Sequence, residues 1–178
     1  MARYESIVRK LQKFGFIEQG KLTEKGVFSS KIFADEITLG EVFATDIVQS
    51  MDEYQILLLI ACMVYEPREG STFKKKFPSE QLRKLKNILL KNDHLQREKK
   101  FLLLETITTF IYPIYNGQNF FELLTLTSLL EGDLIRFYSQ MLDRIGQIKK
   151  ATTDRALQDK MINCQGIVEK GLEGIYLV

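Results

Sequence analysis

Apolar residues recur at helical spacing through almost the whole chain, and caps, glycines and prolines mark the breaks between the runs. The first run, from about Tyr4 to Phe14, puts Ile7, Val8, Leu11 and Phe14 on one face, with Gly15 placed to end it. Phe16 to Thr23 reads instead as a small two-stranded wing turning at Gly20. Thr23 is placed to cap a short helix through Val27, Phe28 and Ile32, and Asp35 to cap another with Ile37, Val42, Phe43 and Ile47 inward. Ser50-Met-Asp-Glu53 reads as a capping box. It opens a helix that is apolar on nearly every side and ends near Tyr65, before Pro67 and Gly70. A helix of that kind belongs at the centre of its bundle.

A polar loop follows to Pro78, and Ser79 is placed to cap a basic amphipathic helix carrying Leu82, Leu85, Ile88 and Leu89. The next predicted helix, Glu98 to Tyr115, contains Pro113, which denies the Thr109 carbonyl its helical donor and predicts a kink or an end. Asn119-Phe-Phe-Glu122 resembles a second capping box. After a break at Ser128 to Glu131, a long helix from about Gly132 to Ala151 carries Leu134, Tyr138, Met141, Ile145 and Ile148 inward. The last helix begins after Thr153 and carries Leu157, Met161, Ile162, Ile167, Val168 and Leu172. The pattern predicts an all-α bundle of about seven or eight helices with a small wing near its N-terminus.

Composition narrows the chemistry. The chain has 178 residues, 45% hydrophobic and 27% charged, which suits one domain or one domain plus a fragment. A single histidine and two distant cysteines (Cys62 and Cys164) cannot form a His/Cys zinc site of ordinary spacing. Any Ser-His-Asp chemistry would fall to His94, which lies in a polar run and reads as solvated. Cys62 sits in an apolar run as a small core residue. The cysteine usage, the lack of an apolar leader at the N-terminus and the short longest apolar stretch, Ile56 to Tyr65, lead to the expectation of a cytoplasmic protein that does not enter a membrane. There is no phosphate-binding loop of the G-x-x-x-x-G-K-[ST] type and no DExH-like motif after a buried strand, so no ATP or magnesium site is expected in this chain. Glu131 and Asp133 flank a glycine at a helix start, where the helix dipole alone accounts for carboxylates. An autonomous enzyme is not expected.

The net charge of +2 conceals an uneven distribution. Arg68 to Lys100 holds eleven cations against four carboxylates, a local +7, and the rest of the chain is −5. Lys74, Lys75, Lys76, Arg83, Lys84 and Lys86 form the basic patch of that segment, which suits either phosphate attraction or a solvated lysine-rich face. A second polar feature is the stripe Asp133, Arg136, Gln140, Asp143 and Gln147 on the long helix, opposite its apolar stripe. Its side chains could touch successive nucleotides of a strand lying across the helix, or simply face solvent.

Three blocks together resemble the C-terminal helical (DSHCT) domain of superkiller-type, exosome-associated DExH-box RNA helicases. The first is Leu22-Thr23-Glu24-Lys25-Gly26 with Ala34-Asp35-Glu36-Ile37-Thr38-Leu39-Gly40-Glu41-Val42-Phe43, and the second is Ile60-Ala61-Cys62-Met63-Val64-Tyr65-Glu66. The third, Tyr115-Asn116-Gly117 and Phe120 to Leu124 followed by Leu129-Leu130-Glu131-Gly132-Asp133-Leu134-Ile135-Arg136, is the most specific. Ile175-Tyr176-Leu177 is similar to the family's ending.

The resemblance implies a helical bundle packed on RecA-like motor domains and a winged-helix domain, with residues 1–34 as the tail of the latter and 35–178 as the bundle. It implies that the helix starting at Gly132 lines the path of single-stranded RNA, with Arg136, Gln140, Asp143 and Gln147 on the strand and Glu66 facing the same channel. Gln140 stands where the family often has a second arginine, and Tyr115 where it usually has tryptophan. ATP and magnesium would sit on the motor domains, exosome-type decay machinery would be a partner, and an exposed apolar face would favour self-association in isolation. The competing readings are a helix-turn-helix DNA-binding regulator, built from Phe120 to Thr127 and Asp133 to Leu142, and a structural helical adaptor using Lys74 to Lys100. Against the regulator, Arg136 is the only cation in the first two turns of its would-be recognition helix.

Overall fold

The computed structural model describes residues 1–175. Among them are nine α-helices, α1 (Ala2–Lys13), α2 (Glu24–Ser30), α3 (Glu36–Phe43), α4 (Glu53–Val64), α5 (Glu80–Leu90), α6 (Leu104–Tyr115), α7 (Phe120–Leu124), α8 (Glu131–Ala151) and α9 (Arg155–Gly171). Short 3-10 turns cover Asp46–Ser50, Leu95–Arg97 and Lys99–Leu103. The expected all-α bundle with a small N-terminal wing is what forms. Of the family-like ending, Tyr176 and Leu177 lie outside the described residues.

The wing is a hairpin of β1 (Ile17–Glu18) and β2 (Lys21–Leu22), antiparallel, with Ile17 opposite Leu22. Gln19 and Gly20 both take positive φ, 49° and 75°, as the two-residue turn of a tightly twisted hairpin requires. Phe16, just before it, is buried against two glycines: a Cβ on Gly26 would lie 2.2 Å from the Phe16 carbonyl oxygen, and one on Gly40 would lie 2.9 Å from the Phe16 ring and 1.9 Å from Ser29 Oγ. Both glycines belong to the first family-like block, and close approach explains them. Lys25 adds a clasp, donating to the Phe14 carbonyl at 2.6 Å and pairing with Glu41.

The central helix is α4, buried from Tyr54 to Val64 and packed on α6, α8 and α9. A truncation such as Leu58→Ala in such a position typically costs about 2–5 kcal/mol. Its capping box is formed by Asp52 and Gln55 rather than by Ser50 and Glu53: Gln55 N donates to Asp52 Oδ1 at 2.8 Å and Asp52 N to Gln55 Oε1 at 2.9 Å. Ser50 is already the last residue of a 3-10 turn, which moves the helix start two residues on. Thr23, Ser79 and Asn119 cap α2, α5 and α7 as expected, each accepting the N3 amide. Helix α6 continues through Pro113 and ends at Tyr115, so the proline acts as a terminator.

Three further expectations are corrected. Helix α1 has no buried residue: Ile7 is exposed, and Val8 and Leu11 on the same face are only half-buried. On α9, Ile162 is exposed because the inward stripe Leu157, Met161, Cys164 and Val168 turns it to solvent. His94 is half-buried instead of solvated, with the Phe14 ring edge-on at 5.0 Å and Thr38 Oγ1 3.4 Å from Nε2. Burial lowers its pKa, against the opposing pull of the Glu41 charge.

Candidate functional site: a groove along α8

Helix α8 supplies one wall of a groove. Its inward stripe, Leu134, Tyr138, Met141, Ile145 and Ile148, is fully buried and fixes the rotation of the helix. The Tyr138 hydroxyl locks it further by donating to the Phe110 carbonyl on α6 at 2.7 Å. With that rotation set, Arg136, Gln140, Asp143 and Gln147 follow one another at steps of three and four residues on a single outer stripe. The eleven residue steps of helix from Arg136 to Gln147 span about 16 Å.

The opposite wall is the end of α4 and the loop beyond it. A cavity of about 590 Å³ is lined by Gln140, Asp143 and Gln147 on one side and by Glu66, Lys99 and Lys100 on the other. A second, of about 310 Å³, is lined by Arg136, Asp133, Gln140, Glu66 and Arg68. Glu66, Pro67 and Gln140 line both, so the two form one continuous groove along α8. The structure thus brings together all five residues expected on the strand path, including Glu66, which stands 70 positions before Arg136.

Ion pairing decides which groups in the groove are available. Lys100 Nζ donates to Asp35 Oδ1 at 2.6 Å and to the Met63 carbonyl at 3.2 Å. Arg144 Nη1 donates to the Ala34 carbonyl at 2.9 Å and to Asp35 Oδ2 at 3.2 Å. Arg68 pairs with Asp133. Gln147 Oε1 accepts the Phe33 amide at 3.2 Å. Among the described residues, Arg136 and Lys99 form no ion pair, and both are exposed. These two cations, with the unbonded amide of Gln140, are what the groove offers a phosphate or a base edge.

Asp35 was expected to cap α3. It instead takes a left-handed conformation, φ 54°, makes no capping bond, and presents both carboxylate oxygens to Lys100 and Arg144. That clamp escaped the sequence, although Arg144 had a signal: it stands four residues beyond Gln140, on the flank between the polar and apolar stripes of the helix. Lys99 and Lys100 reach the groove because the Glu98 carboxylate caps a 3-10 turn there, where a continuous α-helix was expected.

The basic patch does not join the groove. Lys74, Lys75 and Lys76 lie in the exposed α4–α5 loop, where Lys75 Nζ sits 5.1 Å over the Phe77 ring. Arg83 pairs with Glu80, and Lys86 with Glu105 at 2.5 Å. Tyr115 packs on Tyr54, ring centroids 5.0 Å apart, and serves the core. Burial pushes the thiols of Cys62 and Cys164 up, so both are inert. Among the described residues no group of His, Cys, Asp and Glu side chains is arranged to hold a metal ion, and no helix is long and apolar enough to cross a membrane.

Nothing in this geometry favours the helix-turn-helix reading, since the would-be recognition helix forms the wall of a groove. No curated protein matches the chain significantly. The profile of the DSHCT (NUC185) domain matches residues 19–172, nearly the full length. The chain belongs to the DSHCT family, the C-terminal domain of Ski2-like helicases.

Proposed function

We propose that this chain is the non-catalytic C-terminal module of an ATP-dependent DExH-box RNA helicase and that single-stranded RNA runs along the α8 groove. The observation that carries the reading is the continuity of the groove: Arg136, Gln140, Asp143, Gln147 and Glu66 share it, and its two unpaired cations lie on opposite walls. Arg136 and Lys99 would meet phosphates, and Gln140 would hydrogen-bond a base or a sugar in passing. Few fixed charges suit a strand that must slide, because tight pairing at each step would stall it. ATP and magnesium belong to RecA-like motor domains outside this chain, whose own sequence carries no phosphate-binding loop. The exposed apolar side chains Tyr4, Ile7 and Phe33 suit packing on the motor and winged-helix domains, or self-association when those are missing. The reading also carries a cytoplasmic setting and, as partner, exosome-type RNA-decay machinery.

The test is anisotropy of labelled single-stranded RNA with this chain. Binding that weakens as salt rises, without ATP hydrolysis, is expected, and Arg136→Glu weakens it. In an intact helicase the same substitution lowers unwinding and leaves thermal unfolding unchanged. Preference for a palindromic DNA duplex over single strands would overturn the reading in favour of a transcription regulator.

A further inference from the structure

Asp35 lines the α8 groove, and so do both of its partners, Lys100 and Arg144. Five cations and four carboxylates line the two joined cavities, a net charge of +1. Asp35 alone occupies two of those cations, with Lys100 on one carboxylate oxygen and Arg144 on the other. Lys99 and Lys100 are neighbours on the same wall, yet their states differ. Lys99 is exposed and makes no ion pair among the described residues, whereas Lys100 is tied down.

Nothing in the local fold requires a charge at position 35. Asp35 makes no capping bond to α3, and its φ of 54° is left-handed, a conformation that asparagine adopts as readily. Backbone carbonyls also hold both cations in place: Met63 accepts from Lys100 at 3.2 Å and Ala34 from Arg144 at 2.9 Å. The carboxylate charge is therefore separable from the geometry around it. Lys100 is the group whose availability it controls, because that side chain is 42% exposed. Arg144, only 12% exposed, adds charge to the wall without reaching into the groove.

We infer that Asp35 is an internal competitor for the phosphates of a strand in the groove, a carboxylate that masks Lys100 and so sets a weak grip. The inference rests on the RNA path proposed above and adds a control on its affinity. Removing the charge at 35 raises the groove from +1 to +2 and frees Lys100 beside the already free Lys99. Two adjacent cations can then serve successive phosphates. A purely structural ion pair predicts the opposite, since losing it would loosen the wall and weaken binding.

The experiment compares the full chain with Asp35→Asn by anisotropy of labelled oligouridine over a salt series, with lysine acetylation footprints read by mass spectrometry. Asp35→Asn should bind roughly threefold tighter or more at low salt, with a log–log salt slope steeper by about 0.7 for one added phosphate contact. RNA should protect Lys99 from acetylation in both proteins, and Lys100 only in Asp35→Asn. In the parent, Lys100 should react more slowly than Lys99 with or without RNA. Equal or weaker binding by a folded Asp35→Asn, or RNA protection of Lys100 in the parent, would overturn the inference. If circular dichroism shows Asp35→Asn unfolded, the parent footprint decides alone. Arg136→Glu separates the two claims: if it leaves RNA binding unchanged, the path itself fails and the inference with it. If it weakens binding while Asp35→Asn does not tighten it, only the masking role of Asp35 fails.

Discussion

Arg144 and Asp35, 109 positions apart in the chain, face each other across the foot of the α8 groove, with Nη1 3.2 Å from Oδ2. Lys100 takes the other carboxylate oxygen at 2.6 Å. One half-buried anion therefore holds three elements: the α2–α3 junction, the turn before α6, and α8. Removing it leaves two cations side by side, one of them Arg144 with a side chain only 12% exposed. Asp35→Ala should cost about 2–4 kcal/mol in urea unfolding. Arg144→Met should cost distinctly less, because Lys100 still neutralises Asp35. Equal costs would mean that the clamp is not shared.

Tyr138 makes a simpler claim. Its ring is fully buried and its hydroxyl meets the Phe110 carbonyl at 2.7 Å. Tyr138→Phe keeps the shape and removes that hydrogen bond, at a cost of about 0.5–1.5 kcal/mol. A variant as stable as the parent in thermal unfolding would show that the bond contributes nothing.

The wing depends on Gly40. A Cβ there would lie 1.9 Å from Ser29 Oγ and 2.9 Å from the Phe16 ring, so α2 and Phe16 must move away from α3. Gly40→Ala should destabilise by about 1–3 kcal/mol in chemical denaturation. Combining it with Ser29→Ala, which removes the nearer clash, should recover part of the loss.

These cases also mark what the sequence could reveal. Helix starts at Thr23, Ser79 and Asn119, and the inward stripe of α8, are written in spacings of three and four residues, so they are visible locally. The groove was half visible. Its α8 stripe is periodic, whereas Glu66 came from the family resemblance alone. The clamp at Asp35 was invisible because its partners lie 65 and 109 positions away, and a lone aspartate before a helix reads as a cap. His94 was misjudged for a related reason: its polar neighbours in sequence suggest solvent, while Phe14 and Thr38 enclose it from distant positions.

That enclosure gives stability a pH dependence. Burial holds the folded His94 pKa below its ordinary value of 6.5, with Glu41 and Glu98 opposing the shift and Lys10 and Lys25 adding to it. The unfolded chain therefore binds a proton before the folded one does, and stability is lost as pH falls from about 7 through the lowered folded pKa. Glu41 acts in the same direction lower down. Burial raises its pKa, but hydrogen bonds from Lys25 and Asn92 and the Lys25 charge outweigh that and hold it below 4.5, so its contribution disappears in stronger acid. Urea midpoints measured between pH 7.5 and 5 should fall with acid, and His94→Gln should flatten that limb. A flat profile in the parent would contradict the burial of His94.

The proposed RNA path is tested most directly by where RNA touches the protein. Single-stranded RNA carrying photoreactive 4-thiouridine, crosslinked to this chain and mapped by peptide mass spectrometry, should mark the α8 stripe between Arg136 and Gln147 together with the loop around Glu66 and Pro67. Crosslinks confined to Lys74 through Lys86, with α8 unmarked, would contradict the account and return RNA binding to the basic patch.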